Sequence, residues 1–506
     1  MKYRVLFRVD SGKHIGLGHL IRCLSIAKAL DPSRFEVTFA CRKHVESNYS
    51  FFFTNTPFSL IELSSSSINA SIGSLAYNSW LGVSELEDFE ETFLRLENFE
   101  QKFDFIVIDH YALGLKWEQK AINFTKKLIA IDDLGNRKHV AHCVIDPNFG
   151  SFEDKFKGSV EDYTKLYLGA KYSILKEGFS LVREKSVNSN LEKKLEKVLI
   201  NLGGSGDLSR LEILIDSLKR TRFKGHFVVL VNNKKFVDNR NRFEKDERFS
   251  FVDFIDDMVP FLSEFDLVIG AAGGSFWERC CLGVPSVLLK VAENQNVVTD
   301  SLKNRFPELV FDNINQMCSE IGKVISSFKN IEYKQKVVRS ISSLVTGLGL
   351  ANIVTEVFSQ EVFRLREAKV EDALVVYGWQ SFPGMRKYFR NPEIPKLEEH
   401  LSWFKDSVEK IEKRSVFIFE TTYGLPLGVV RYDIENSNVA EVSILINPFF
   451  HRNSLGARAL IALANQQKKM SFKAYVESEN VASKKAFLRA GYTQIGERSF
   501  YLGSRE

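Results

Sequence analysis

The fold is decided by residues 3–30, which read YRVLFRVDSGKHIGLGHLIRCLSIAKAL. Residues 3–9 are apolar, aromatic and β-branched, which is typical of a strand, and the spacing of apolar residues over 19–30 predicts an amphipathic helix. Between the two the chain passes through Gly16 and Gly18. A strand that leads through glycines into a helix is how a strand–helix–strand unit begins, so a parallel sheet is expected.

The same alternation continues through two long segments. Strands are predicted at FEVTFAC, FDFIVID, KLIAIDD and CVIDPN within the first 180 residues, with a helix over 85–100. A second series begins near residue 196 and contains KVLINL, HFVVLV, FSFVDF, DLVIGAAGG and PSVLLK. Sheets of this kind bind ligands at the carboxyl ends of their strands. We therefore expect an α/β protein with two Rossmann-type lobes, residues 1–165 and 166–345.

The pattern changes near residue 362. A hairpin is predicted around TYGLP, followed by a strand at VAEVSILIN, a helix over 454–467, a strand at FKAYVES and a helix over 480–491. Strands and helices mixed in this way predict a separate α+β domain over residues 362–506, reached through a helical linker at 346–361.

Composition excludes several classes of protein. The 506-residue chain has a net charge of only +5, without the concentrated basic stripe of a nucleic-acid binder. Its apolar runs are shorter than the roughly 18–20 residues that span a bilayer, and its first residues do not resemble a signal peptide. The six cysteines lack CxxC spacing, which favours free thiols in a reducing compartment. We expect a cytoplasmic protein that binds neither nucleic acid nor membrane.

Three glycine-rich segments follow predicted strands: GLG at 16–18, GGSGD at 203–207 and GAAGGSFWE at 270–278. Glycines let the backbone approach a ligand, and the helix that follows offers free N–H groups to an anion. A phosphate-containing ligand is therefore predicted, although each segment alone could be a simple turn. The dinucleotide fingerprint GxGxxG is not met, because Ile21 stands where its third glycine would be.

Several side chains near these segments could take part in catalysis or ligand binding. His19 at the helix start could act as a general base, or could merely lie near the helix cap. Asp109, His110 and Tyr111 end another strand of the first lobe. Glu278 could bind ribose hydroxyls, or could only balance a helix dipole. Asp132 and Asp133 could bind a metal, hold a loop or cap a helix, and no HxxE or DxD pattern supports a metal.

These segments resemble the UDP-2,4-diacetamido-2,4,6-trideoxy-β-L-altropyranose hydrolases of pseudaminic acid biosynthesis over about residues 1–350. VIDHYALGLKWE, IAIDDLGNRKH, INLGGSGD and AAGGSFWERCCLGVPSVLL contribute to the resemblance. It implies the GT-B fold, also found in the peptidoglycan glycosyltransferase that adds GlcNAc to lipid I, with water in place of the sugar acceptor. It further implies that His19 activates this water, that Glu278 holds the ribose, and that UDP leaves without a metal.

The substrate-binding residues expected from these arguments come from both lobes. They are Gly16, Gly18, Asp109, His110, Tyr111, Gly204, Ser205, Gly273, Gly274, Ser275, Glu278, Asn294 and Gln295. One departure from the family concerns the phosphate loop, which usually reads GGSD. Here Gly206 is inserted before Asp207, so phosphate contact is expected with an altered geometry.

The third domain resembles the GNAT acetyltransferases at AEVSILINPFFHRNSLGARALIALAN and VESENVASKKAFLRAGY. The resemblance implies that acetyl-CoA is the co-substrate and that its pyrophosphate lies on backbone N–H groups at 453–457. The implied acetyl-CoA-binding residues are Leu445, Ile446, Asn453, Ser454, Leu455, Gly456, Ala457, Asn480 and Ser483. Glu441 is the candidate base for an ammonium group, or else an exposed carboxylate at a strand end.

Three positions depart from the usual GNAT pattern. His451 replaces an Arg or Gln, Ser454 replaces the first glycine, and Phe487 replaces the tyrosine that often serves as general acid. The segment GWQSFPGMRKYFRNPEIPKLEEHLSWF resembles the substrate side of the pathway's own acetyltransferase. Its Trp379, Arg386 and His400 are expected either near a sugar nucleotide or, for Trp379, in the core.

Together the two resemblances imply a bifunctional enzyme that performs successive steps on UDP-sugar substrates, acetylation and then hydrolysis, and that associates with neighbouring enzymes of the pathway. Three alternatives remain open at this point. A glycosyltransferase would have the same fold and UDP site but would need an acceptor. A protein that only binds sugar nucleotides would need no base. The same chemistry could also act on another UDP-2,4-diamino-6-deoxy sugar.

Overall fold

The computed structural model describes residues 2–12, 15–44, 49–65, 77–96, 102–202, 208–231, 246–253, 255, 257–291, 295–409 and 413–504. The chain divides into two compact units, residues 1–360 and 361–506. Each unit is described by itself below.

The first lobe of the larger unit is built on a parallel sheet. Its described strands are β1 (Tyr3–Val9), β2 (Phe35–Arg42), β3 (Ser59–Leu63), β4 (Phe103–Asp109), β5 (Thr125–Ile131), β6 (Cys143–Asp146) and β7 (Lys165–Leu168). They lie in the order β3-β2-β1-β4-β5-β6-β7. The central strands are almost continuously apolar because helices cover both faces of a parallel sheet.

Three helices of this lobe carry or support the residues considered below. They are α1 (Gly18–Ala29), α2 (Glu85–Leu94) and α3 (Leu115–Ala121). The strand order reverses between β1 and β4, which pair in parallel from Val5 with Phe105 to Val9 with Asp109. A crevice for ligands opens at such a reversal, beyond the carboxyl ends of the two strands. Residues 10–19 and 109–111 follow those two ends.

The second lobe repeats this arrangement. Its described strands are β8 (Lys197–Asn201), β9 (His226–Leu230), β10 (Phe249–Val252), β11 (Leu267–Ala271), β12 (Ser286–Leu289) and β13 (Val310–Phe311), in the order β10-β9-β8-β11-β12-β13. Its helices are α4 (Glu177–Glu192), α5 (Leu208–Lys219), α6 (Met258–Ser263), α7 (Ser275–Leu282), α8 (Asn296–Lys303), α9 (Ile314–Ser327) and α10 (Ile331–Ser342). Here the order reverses between β8 and β11, so the segment that begins α7 lies at the reversal.

The last helix of the larger unit, α11 (Gly349–Glu356), packs against α1 of the first lobe. The Phe358 ring lies 5.0 Å from the Phe105 ring, and the amide of Gln360 donates to the Ala29 carbonyl at 3.2 Å. Residues 349–360 therefore return to the first lobe after the second is complete. The domain limits 1–165, 166–345 and 346–361 stay predictions.

The smaller unit is a mixed sheet with helices. Its described strands are β14 (Phe363–Glu367), β15 (Arg414–Thr421), β16 (Pro426–Asn436), β17 (Val439–Ile446), β18 (Ser471–Tyr475), β19 (Thr493–Gln494) and β20 (Ser499–Leu502), in the order β14-β15-β16-β17-β18-β20-β19. Its helices are α12 (Ala373–Ser381), α13 (Leu397–Glu409), α14 (Leu455–Gln466) and α15 (Val481–Arg489). Strands β17 and β18 are parallel and pair only from Val439 with Ser471 to Glu441 with Lys473. The second half of β17 therefore leaves its neighbour.

The predicted fold class is confirmed: two Rossmann-type lobes precede an α+β domain. The hairpin predicted around TYGLP is β15 and β16, which pair in antiparallel fashion. The helix predicted over 85–100 ends at Leu94 within the described residues. No helix in the described part of the chain combines the length and the apolar character needed to cross a membrane.

Candidate active sites

The reversal of the first sheet brings together His19 of α1 and Asp109 at the end of β4. The Nδ1 atom of His19 lies 2.6 Å from Oδ1 of Asp109, and both side chains are buried. Gly16, just before α1, has a φ of 78°, a left-handed conformation that favours glycine. Leu17, the residue before α1, has no side chain that could cap the helix. The helix therefore presents the imidazole and several free N–H groups at the same edge.

Arg22, one turn further along α1, fixes the charge of this pair. Its Nε and Nη2 atoms each donate to Asp109 at 2.5 Å, and its Nη1 donates to Asp133 at 3.2 Å. Burial by itself raises the pKa of Asp109, but Arg22 and His19 outweigh it and hold that pKa well below its usual value. An ionised Asp109 accepts a hydrogen bond from the N–H at His19 Nδ1, so Nε2 is left with its lone pair.

Two aromatic rings adjoin His19, and a third packs on both of them. The Tyr111 ring is edge-on to the imidazole with centroids 4.6 Å apart, and the Trp80 ring is 6.4 Å from it. Tyr77 contacts both, at 4.9 Å from Tyr111 and 5.0 Å from Trp80. The Tyr111 hydroxyl donates to Asp133 at 2.6 Å, so its ring rather than its hydroxyl borders His19.

His110 lies beneath this edge and is only 2% exposed. Its Nδ1 accepts a hydrogen bond from the backbone N–H of Ala112 at 3.0 Å, so the proton is on Nε2, which lies 3.3 Å from Oδ2 of Asp10. Burial lowers the pKa of His110. A neutral imidazole with both nitrogens facing protein groups supports the loop, and its role in substrate binding stays a prediction.

Below the loop lies a buried network of charges that the sequence analysis did not single out. Arg8 in β1 is fully buried between Asp10 and Asp88, and its Nη2 lies 2.6 Å from the Asp88 carboxylate. Arg42 in β2 also donates to Asp88, at 2.7 Å, and its backbone N–H donates to Asp10 at 2.7 Å. Asp10 thereby fixes the start of the glycine segment. Charged residues inside apolar strands were the signal that could have revealed this network.

Asp132 holds a loop, one of its three predicted roles. Its carboxylate accepts from the backbone N–H groups of Leu134 at 3.0 Å and Gly135 at 3.2 Å, and it lies 3.0 Å from His139 Nε2. The other nitrogen of His139 lies 2.6 Å from Glu118. Within the described residues, no group of three or more His, Cys, Asp or Glu side chains could hold a metal ion.

In the second lobe, Glu278 lies in the first turn of α7. Its half-buried carboxylate has no hydrogen bond or ion pair with any residue that the structure describes. Burial raises the pKa of Glu278 to about 7, and the charges of Arg279 and Lys176 oppose this rise. A carboxyl group that titrates near neutrality and has no partner among the described residues is suited to hydrogen bonds with a hydroxyl-bearing ligand.

Arg279 supports the loop before α7 from behind. Its guanidinium donates to the carbonyls of Ala271 at 2.6 Å and Ser275 at 3.2 Å. A Cβ atom at Gly270 would lie 2.5 Å from this guanidinium, which leaves no space for a larger residue. The loop ahead of it, at Gly273 and Gly274, is open, because a Cβ atom at Gly274 would meet nothing within 4 Å.

Gly274 offers no side chain to cap α7. The backbone N–H groups of Phe276 and Trp277 donate to the carbonyls of Gly273 at 2.8 Å and Gly274 at 3.1 Å, which leaves the N–H of Ser275 for an anion. Gln295 adjoins the same loop: a Cβ atom at Gly273 would lie 3.7 Å from its Nε2, and its Oε1 accepts from the Val291 N–H at 3.1 Å. Gly204, Ser205 and Asn294 lie outside the described residues, and so does Gly206.

In the smaller unit, the loop before α14 has the shape of an anion site. Ser454 has a φ of 56° and Arg452 a φ of 69°, and no side chain caps α14 at Leu455. The first N–H groups of the helix, at Leu455, Gly456 and Ala457, therefore face away from it without a side-chain acceptor. A Cβ atom at Gly456 would lie 3.2 Å from that of Ala486, so glycine permits the close approach of α15.

The remaining predicted acetyl-CoA residues surround this loop. Leu445 and Ile446 belong to the part of β17 that has left β18. The buried amide of Asn453 donates to the carbonyls of Phe450 and His451 at 3.1 Å each, which fixes the loop. Asn480 caps α15 through the Ser483 N–H at 3.1 Å.

Glu441 lies where β17 and β18 last pair. Its carboxylate accepts from Arg390 Nη2 at 2.5 Å. The Arg390 guanidinium also lies 5.6 Å from the centre of the Tyr475 ring, which is exposed. Phe487 is buried against Tyr492, with ring centroids 4.9 Å apart. The tyrosine that lies near the point where β17 and β18 separate is therefore Tyr475, whereas position 487 holds a buried phenylalanine.

His400 and Arg386 belong to one chain of hydrogen bonds. His400 Nε2 donates to the Ala373 carbonyl at 2.9 Å, and its Nδ1 accepts from Gln380 at 2.7 Å. Gln380 in turn accepts from Arg386 at 2.6 Å. Trp379 is 1% exposed and lies in the apolar cluster between α12, α13 and the sheet. The structure thus places Trp379 in the core, and it gives His400 a supporting position.

Two family models match the chain. Residues 363–493 match the acetyltransferase (GNAT) domain, and residues 198–331 match the glycosyltransferase family 28 C-terminal domain. A UDP-2,4-diacetamido-2,4,6-trideoxy-β-L-altropyranose hydrolase of Campylobacter jejuni is 27% identical over 42% of this chain and 65% of its own length. Both resemblances are confirmed.

Two further comparisons concern the whole chain and the fold. An uncharacterized protein of Methanocaldococcus jannaschii is 24% identical over 97% of this chain and 96% of its own length, so it is similar to both units. Acinetobacter baumannii MurG covers 71% of this chain and all of its own, with a TM-score of 0.51 and 14% identity. This likeness supports the GT-B-like fold.

Proposed function

We propose that the chain is a bifunctional enzyme of sugar-nucleotide biosynthesis. The smaller unit N-acetylates the 4-amino group of UDP-4-amino-4,6-dideoxy-β-L-AltNAc. The larger unit hydrolyses the product, UDP-2,4-diacetamido-2,4,6-trideoxy-β-L-altropyranose, to the free sugar and UDP. The proposal places both steps of this pseudaminic acid route in the cytoplasm and needs no metal.

The observation that carries the hydrolase proposal is the buried His19–Asp109 pair at the reversal of the first sheet, 2.6 Å apart. With its Nδ1–H donating a hydrogen bond to Asp109, His19 takes a proton from water at Nε2 as the water oxygen bonds to the anomeric carbon. The bond from that carbon to the β-phosphate oxygen breaks with inversion. The electron pair leaves with UDP, and the imidazolium that forms is stabilised by the charge of Asp109.

The second lobe would hold the leaving group. Negative charge develops on the diphosphate as the bond breaks, and fixed N–H donors at the start of α7 can stabilise it. Glu278, which has no partner among the described residues, is suited to the ribose hydroxyls. Gly204, Ser205, Asn294 and Gln295 complete this proposal as predictions.

A second candidate is transfer of the sugar to an acceptor. The match to the glycosyltransferase family 28 C-terminal domain and the fold likeness to MurG favour it. The two activities differ in one requirement, because a glycosyltransferase needs an acceptor in order to release UDP at an appreciable rate.

The test is UDP release from the diacetamido sugar nucleotide in water, with no acceptor added. We expect turnover by the wild type and a loss of about 10²–10⁴-fold in kcat for Asp109→Asn, because an asparagine no longer holds His19 in its Nδ1–H form. UDP affinity serves as the control and should not change. No release by the wild type without an acceptor would rule out the hydrolase.

The acetyltransferase proposal rests on the open start of α14 and on the separation of β17 from β18. Free N–H groups at 455–457 match the needs of a pyrophosphate, so the residues present fit acetyl-CoA. When bound, acetyl-CoA supplies the acetyl thioester. Glu441 would take the proton from the sugar ammonium so that its nitrogen can attack, and Arg390 orients Glu441 through the 2.5 Å bond.

A further inference from the structure

The aromatic rings beside His19 have no part in the proton transfer described above. Tyr111 is 4% exposed and is the inner member of the group, while Tyr77 and Trp80 are half-buried. Trp80 lies 5.5 Å from Tyr111 between ring centroids, at an interplanar angle of 37°. The three rings therefore form one continuous apolar surface, here called the aromatic wall.

The wall is held rigidly from behind. Leu81, which follows Trp80, is 1% exposed and belongs to the apolar core of the first lobe. The backbone N–H of Trp80 donates to the Tyr77 carbonyl at 3.1 Å, which closes the short turn between the two rings. Tyr111 is fixed by its bond to Asp133 and has the Arg137 guanidinium 5.8 Å from its ring centre.

The wall lies where a sugar would have to sit. A base that delivers water to an anomeric carbon is within about 3–3.5 Å of that water, so the pyranose ring lies next to the imidazole. Ring centroids of Tyr111 and Trp80 are 4.6 Å and 6.4 Å from that of His19. Substituents on the pyranose ring would therefore meet aromatic carbon of these rings.

We propose that Tyr77, Trp80 and Tyr111 select sugars by their methyl-bearing substituents, the acetamido and C-methyl groups. This inference rests on the proposed function for the identity of the substrate. Each methyl group moved from water to the wall contributes about 0.8 kcal/mol, or about fourfold in affinity.

The test is equilibrium binding by calorimetry on the full chain carrying His19→Gln, so that the ligands are not turned over. The ligands are UDP, UDP-glucose, UDP-GlcNAc and the UDP-2,4-diacetamido-2,4,6-trideoxy sugar, whose sugars carry none, one or three methyl groups. We expect affinity to rise about fourfold for each methyl group. Trp80→Ala should flatten this series and leave UDP affinity unchanged, and Trp80→Phe should restore most of it.

Trp403→Ala is the matched control, because Trp403 is a partly exposed tryptophan of the smaller unit. The inference would be overturned if the chain with the wall unaltered bound all the sugar nucleotides with equal affinity. It would also be overturned by a Trp80→Ala chain that loses UDP affinity as strongly as sugar selectivity. If Trp80→Ala does not fold, two measurements still test the inference. They are the affinities of Tyr77→Ala and the ranking of the ligands by affinity for the chain with the wall unaltered. A failure of hydrolysis is seen separately, as absent UDP release by the wild type.

Discussion

At the scale of single residues, the first site depends on contacts between distant parts of the chain. His19 could be predicted because it follows a glycine segment at a helix start. Arg22 could not, because its importance comes from Asp109, 87 residues away. Trp80 likewise lies in a stretch without a motif and gains its meaning from Tyr111. The sequence shows which side chain lies at the end of a strand or helix. The residues that this side chain contacts are determined only by the tertiary fold.

Arg22→Gln should change the pH dependence of hydrolysis. The groups that face this centre include Asp109, Asp133, Tyr111 and Cys23, whose Sγ lies 3.5 Å from Asp109. The Nη2 of Arg22 itself lies 3.0 Å from His19 Nδ1. Without the guanidinium, the pKa of Asp109 should rise, because burial raises it and Arg22 is the strongest of the groups that lower it. The acidic limb of kcat/KM against pH should therefore move to higher pH, and kcat at neutral pH should fall about tenfold or more.

Arg22→Lys is the conservative control, since an ammonium keeps the charge but loses the paired hydrogen bonds. Its kcat and its acidic limb should lie between those of the wild type and of Arg22→Gln. The measurement is initial UDP release between about pH 5 and 9. A uniform drop in rate at every pH, with the limb unmoved, would mean that Arg22 only supports the fold.

At the scale of elements, apolar strands were predicted best. β1, β4, β8 and β11 are central in their sheets, and burial on both faces gives them unbroken apolar runs. β3 and β13 lie at sheet edges and β7 is short, so their sequences are weak signals. The uncapped starts of α1, α7 and α14 follow three of the four loops predicted to bind ligands, and the fourth, residues 203–207, lies outside the described residues. They lack a side-chain cap because no Ser, Thr, Asp or Asn immediately precedes α1 or α7 and because Ser454 does not bond to α14.

One contact between elements should make stability depend on pH. His139 lies between Glu118 of α3 and Asp132 after β5. Although burial opposes it, these carboxylates raise the pKa of His139 from 6.5 to about 9. The raised pKa means that the stabilisation is complete below about pH 6.5 and is lost as the pH rises through 9. The free energy of unfolding should thus fall by about 3 kcal/mol over that interval.

The measurement is denaturant unfolding of the wild type and of His139→Gln at several pH values between 6 and 10. The glutamine variant should be less stable at pH 6 and should lack this pH-dependent loss. His226→Gln in the second lobe controls for the removal of a histidine elsewhere. Parallel curves for the wild type and His139→Gln would show that His139 does not carry a proton in the folded protein.

At the scale of the whole molecule, the two proposed activities have a chemical order. Acetylation turns an ammonium into a neutral acetamide with one more methyl group, and the aromatic wall would favour that product over its precursor. The additional methyl group would then favour hydrolysis after acetylation by about fourfold. The domain order in the chain carries no such information, because either unit could act first on a diffusing sugar nucleotide.

The independence of the two units can be tested in the full chain. Each of two variants lacks one base and should lose about 100-fold or more in the rate of its own step. Given the 4-amino sugar nucleotide and acetyl-CoA, His19→Gln should accumulate the diacetamido sugar nucleotide. Glu441→Gln should accumulate nothing. Mixed together, the two variants should release UDP again. Mass analysis of the products follows each step. A mixture as inactive as its parts would contradict the assignment of one activity to each unit, because a free intermediate passes from one chain to the other.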